Sequence, residues 1–379
     1  MKVPFLLATT LVVLVRTTGV SGFEKTGGCI QKQYPSVVPS KVYTVGEFKW
    51  IGGVMKPFTK SMSGFGLSLF TGYPSSTAVS QAALCAILST LDSMFPPFVR
   101  SPAKQKQVIS NMYKYRAAFP VFQGVPKPPE ESASWDKFLD RYSVCDVIYV
   151  GVDEKAQPME IIEGLLHAVT TVGLHYAYPK EWGIGKSSDL YKSMQKAISK
   201  GIFNIQAYQK ITDDGIKTRV MLQEYGYRVI ASAWGLISSD TSQEWTISSP
   251  SEMKSKLPDA WTLYDTTVAN IMSRPSDSAV QSLKAFSAGK KEPQPVCPKS
   301  RNSDSTTLSP TPSPTSSSPT KAPTESTNAG GKDAQSDTLT SSPTAASPAS
   351  NLTPSTFLGA AALATTAAAL SFSLPSSQC

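Results

Sequence analysis

A helix-rich α+β fold, built as one globular ectodomain over residues 23–298, is what the sequence predicts. Three observations predict it. Serine and proline recur at helix-start positions, apolar residues return every three or four places behind them, and the strand-like runs are few. Those runs also lack the regular strand–helix alternation of a parallel doubly wound sheet. A body of about 275 residues is long enough for one large core.

The elements follow in order. Residues 41–51, KVYTVGEFKWI, alternate loosely and are rich in β-formers, so they predict a strand, with residues 65–70 as its pairing partner. Pro74-Ser75-Ser76-Thr77 starts a helix carrying Val79, Ala83, Ile87 and Leu91, and Pro96-Pro97 stops it because proline lacks the N–H the helix needs. Ser101 and Pro102 restart one as N-cap and first helical residue, and it runs through KQKQVISNMYKYRAAF. A proline-rich loop, 124–131, leads to a short helix at 135–141 and then to residues 144–151, VCDVIYVG, the clearest strand of the chain. The helix holding His167 comes next. Ser187-Ser188-Asp189 caps another, closed by Gly201, and residues 202–208 are a strand candidate. Residues 218–234 are apolar nearly all round and therefore predict a buried helix. Ser249-Pro250-Ser251-Glu252 forms a capping box, and a last helix follows Leu257-Pro258.

The two ends carry a different signal. Residues 1–22 read as a secretory signal peptide, with Lys2 before an apolar run too short to span a membrane and Val20-Ser21-Gly22 offering small residues for cleavage. Residues 299–356 fall to Ser, Thr, Pro and Ala, which cannot bury enough apolar surface to offset the entropy of ordering, so they read as a disordered, O-glycosylated stalk. Residues 357–379 form a weakly apolar tail that fits a GPI-attachment signal, with Ser347 or Ser350 as the attachment residue and Cys379 lost with the tail. The alternative is an Ala-rich transmembrane helix. Asn351 heads the one glycosylation sequon.

The body holds Cys29, Cys85, Cys145 and Cys297, an even number that suits an oxidising compartment. Cys29 and Cys297 bracket it, so a disulfide joining its ends is expected. Cys85 and Cys145, in an apolar helix and an apolar strand, either pair with each other or stay buried thiols. With 36 Lys plus Arg against 28 Asp plus Glu, the charge suits an anionic glycan, matrix or protein partner. The lysines stand in no run longer than two and have no interleaved aromatics, which argues against nucleic acid.

The chemistry concentrates in residues 160–182, which hold both histidines of the chain, His167 and His175. On a helical wheel Ile161, Ile162, Leu165, Leu166, Val169 and Val172 make the core stripe, with Glu160, Glu163, Gly164, His167 and Thr171 opposite. Glu163 and His167, four apart, are neighbours. Gly173 is expected to break the helix and let His175 turn back toward His167. Two imidazoles and a carboxylate can hold zinc with one position left for water, and a further carboxylate can act on that water as general base.

Glu163 one turn before His167, followed by Gly173 and His175, resembles the metal-binding helix of zinc metallopeptidases, and Leu222-Gln223-Glu224-Tyr225 resembles the segment that carries the third ligand of the gluzincin branch. The resemblance implies His167, His175 and Glu224 as zinc ligands and Glu163 as base. The chain departs from the family pattern in lacking its first histidine. Taken on the residues alone, Glu224 has a simple ion-pair partner in Arg228, four positions on. The expected function is a secreted, GPI-anchored cell-surface or extracellular-matrix protein with a non-catalytic, degenerate peptidase-like ectodomain. The alternatives are a zinc-dependent hydrolase acting outside the cell and a structural matrix component. No G-x-S-x-G motif supports a serine hydrolase.

Overall fold

The computed structural model describes Cys29 and residues 43–51, 57–73, 78–124, 133–237, 244–291, 293–294 and 296–299. The leader at 1–22, the stalk beyond Lys299, the tail, Asn351, Ser347 and Ser350 lie outside the described residues. The fold is α+β, as the sequence predicts, and the structure shows its sheet to be mixed, with helices on it.

The sheet is built on a tight hairpin. Strands β2 (Lys60–Gly64) and β3 (Leu67–Thr71) run antiparallel, and Gly64 pairs with Leu67. Two residues, Phe65 at φ 52° and Gly66 at φ 76°, therefore turn the chain, both in the left-handed region that a two-residue hairpin of matching twist demands. Strand β1 (Lys49–Trp50) lies antiparallel on the outer edge of β2. On the other side β3 pairs in parallel with β4 (Ala117–Gln123), reached through helices α1 (Gln81–Met94) and α2 (Pro102–Lys114). Strand β4 then pairs in parallel with both β5 (Ser143–Val144) and β6 (Ile148–Val150), after a crossover through α3 (Ala133–Leu139).

Strand β4 is where the two sides of the core meet. Ala117, Phe119 and Val121 face a large core of aliphatic helices, while Ala118 and Phe122 face a second, aromatic core. In the second core Phe58 packs 4.8 Å from Phe138, and Phe70 meets Phe138 edge-on at 5.1 Å. Such pairs contribute roughly 0.5–1.5 kcal/mol each beyond their area burial. The large core is covered by α1, α2 and α4 (Gln157–Ala168), followed by α5 (Asp189–Ser199), α6 (Asp214–Ala233), α7 (Pro250–Lys256), α8 (Pro258–Thr266) and α9 (Asp277–Lys284). Among the described residues no helix is long and apolar enough to cross a membrane.

Several helix starts stand where the capping residues put them. Ser188 accepts from the Tyr191 N–H at the head of α5, and Ser249 accepts from Glu252 N–H at the head of α7. The return half of the capping box reaches one residue further back, since Glu252 accepts from Ser248 N–H at 2.8 Å. Other elements differ from the sequence expectation. Only Lys49–Trp50 of the 41–51 run is a strand, residues 144–151 split into β5 and β6, and residues 202–208 give an isolated Phe203–Trp245 bridge before a 3₁₀ turn at Gln206–Lys210.

The cysteine pairing also differs. Cys29 bonds Cys145, and Cys85 bonds Cys297, in place of the expected pairs Cys29–Cys297 and Cys85–Cys145. The reason is packing. Cys85 sits in α1, against which the C-terminal end of the body passes, with Ser89 Oγ donating to Val296 O at 3.5 Å. Cys145 lies between β5 and β6, where Thr171 Oγ1 contacts both it (3.3 Å) and Cys29 (2.8 Å). Two disulfides fit an oxidising, extracellular environment.

Candidate functional site

Three segments converge around His167. Helix α4 carries Glu163 and His167 one turn apart, α6 carries Glu224, and the link between β5 and β6 carries Asp146. The wheel places Glu163 and His167 opposite the core stripe, where a lone helix would show them to water. The structure buries that side too: His167 is 1 % exposed and Glu163 7 %. Helix α6 and the β5–β6 link cover it, so α4 is buried on nearly every side.

Gly164 lies beside the β5–β6 link. A Cβ there would stand 3.4 Å from Ile148 Cγ1 and 3.8 Å from Asp146 Oδ2, ordinary contact distances that show how closely the link lies against α4. Asp146 Oδ2 lies 3.0 Å from His167 Nδ1, which donates to it. On the other side of the ring, His167 Nε2 stands 3.5 Å from Glu224 Oε1, a charge contact too long for a hydrogen bond. Nε2 is buried and makes no hydrogen bond. The ligating atoms of Glu163, His167 and Glu224 lie within 4.8 Å of one another.

His175 is not in this group, which corrects the expected ligand set. Gly173 does not break the helix. Residues Val169–Leu174 continue it as a π-helical turn, and His175–Ala177 follow as α-helix. Gly173 serves close packing instead: a Cβ there would fall 2.7 Å from Val108 Cγ1 of α2. With the helix unbroken, His175 points elsewhere. Its Nδ1 accepts from Ile184 N–H at 3.3 Å, its ring meets Tyr176 at 4.5 Å, and burial lowers its pKa. Glu163, expected as a base beside the ligands, stands within the ligand group itself.

Arg228 reaches Glu244 at 3.5 Å, and Glu244, Glu163 and Glu224 all act on it electrostatically. Asp146 is the residue that the sequence reading misses. The signal was there, a single acid inside the apolar run VCDVIYVG, but its partner is a ring 21 positions away. Gln223, beside Glu224, donates to Cys145 O at 3.1 Å and so ties α6 to the same link.

Burial alone would lower the pKa of His167, but Glu224 and Asp146 outweigh it and raise the group to about 10. In metal-free protein the ring therefore holds its proton at neutral pH. The folded value lies above the usual 6.5, so the stabilisation from this group is complete below about pH 6.5 and is lost as pH rises toward 10. Urea unfolding in chelator from pH 6 to 10 is expected to show falling stability across that window. In Glu224→Gln the decline should be shallower, and an equal decline would mean that His167 is not its source.

Compared with protein-family models, with curated proteins and with solved structures, the chain matches none.

Proposed function

We propose that this chain is a secreted, GPI-anchored surface or matrix protein that works by binding and not by catalysis, with a polyanionic glycan or matrix surface as its partner. The observation that carries the reading is the state of the two histidines. His167 lies in the interior with Nδ1 on Asp146, and His175 Nδ1 takes the Ile184 N–H. The pair of imidazoles that a peptidase-like zinc centre would use is therefore not assembled. Two disulfides and a net charge of +8 support an extracellular role facing acidic partners.

The test uses the full chain displayed on cells. Phosphatidylinositol-specific phospholipase C is expected to release it, and the released protein should bind immobilised heparin at low salt and elute as salt rises. Retention on the cells would overturn the lipid anchor. Passage through heparin at low salt would overturn the anionic partner.

A further inference from the structure

We propose that Glu163, His167 and Glu224 form a zinc-type divalent metal site, oriented by Asp146 from behind the imidazole. This goes beyond the binding reading, and either can fail alone.

Three observations carry it. The first is Nε2 of His167, in a ring 1 % exposed: it makes no hydrogen bond and has a charge contact of 3.5 Å with Glu224 Oε1. Buried polar atoms nearly always have a partner, and this one points toward two carboxylates whose oxygens lie within 4.8 Å. A cation about 2 Å from Nε2 and about 2 Å from each carboxylate would join all three.

The second is Asp146. An imidazole that binds a metal commonly donates its other N–H to a carboxylate, which fixes the ring and the tautomer. Asp146 stands in that place, 3.0 Å from Nδ1. The third is charge. Asp146, Glu163, Glu224 and Glu244 gather around Arg228 and His167. Glu163 and Glu224 both act on Arg228 and stand beside the imidazole, so a cation between them would meet two carboxylates.

The donor set selects the class of metal. Imidazole with carboxylates suits zinc and its neighbours, and the described cysteines are all held in disulfides, so no thiolate competes. Three protein ligands leave a fourth position for water. Zinc must displace the Nε2 proton, so uptake releases a proton. Glu163 and His167 lie on α4 and Glu224 on α6, so the ion would clamp the two helices together.

The experiment uses the full chain, secreted without a polyhistidine tag, stripped with chelator and titrated with zinc chloride. Elemental mass spectrometry after dialysis should find about one zinc per chain. Glu224→Gln keeps the side chain's shape and should lose that zinc. Asp146→Asn should bind about 10- to 100-fold more weakly. Nitrogen NMR of the histidines supplies a readout independent of folding in the variants, because the chain has only two histidines. Zinc should shift His167 Nε2 and leave His175 unmoved. Equal retention by wild type and Glu224→Gln, or a zinc response at neither histidine or at both, would overturn the site.

Discussion

Replacing Trp182 with alanine is expected to cost about 3–5 kcal/mol of stability, the usual range for deleting a large buried aromatic. Trp182 is fully buried, and its Nε1 donates to Thr267 Oγ1 at 2.7 Å. Its ring also lies against α6, close enough that a Cβ on Gly226 would stand 3.6 Å from Cζ3. The change therefore opens a cavity at a junction of separate segments and removes a buried hydrogen bond. Trp50→Ala is the control, since Trp50 is 69 % exposed and should move stability by about 0.5 kcal/mol or less. Urea midpoints followed by circular dichroism would decide it. Similar midpoints for the two variants would mean that the region around Trp182 is not a packed core.

Gly66→Ala carries the second large effect, because two separate penalties fall on one residue. Gly66 sits at φ 76°, where a side chain costs about 1–2 kcal/mol. A Cβ there would also stand 2.2 Å from Ile109 O and 3.0 Å from Tyr113 N, both backbone atoms of α2. Relief requires the hairpin and α2 to separate, which adds about 1–3 kcal/mol of over-packing. Gly289 isolates the first penalty: it has the same φ of 76° with nothing within 4 Å of its Cβ position. Gly289→Ala should lose only the conformational part. Equal losses at the two glycines would show that the β2–β3 turn does not press on α2.

How much of this was legible varies with the distance over which the signal acts. Ser188 and Ser249 announce their helices because a cap is decided by the residues within one turn of it. Strand β4, the centre of the sheet, was hidden. Its sequence, AAFPVFQ, is buried on both faces and shows no polar alternation, and its first three residues read as the tail of the preceding helix. The break between them is Arg116 at φ 53°, a conformation usually marked by glycine. The hairpin turn was obscured in the same way, since its first left-handed residue is Phe65.

The candidate site divides along the same line. Glu163 and His167 are visible as neighbours because the helix itself sets their spacing. That Glu224 would join them, that Asp146 would hold the ring and that His175 would not take part depended on packing between segments up to 78 residues apart, the separation of Gln223 from Cys145.

By itself the sequence determined the helix-rich α+β class, several of the helix starts and the placing of Glu163 and His167 one turn apart on a helix. All of these rest on interactions within a turn or on composition. The tertiary structure alone decided which cysteines pair among three connectivities, which face of α4 is covered and which carboxylates meet His167. Those outcomes depend on long-range contacts, and local spacing carries no record of which distant segment will fill the space beside a helix.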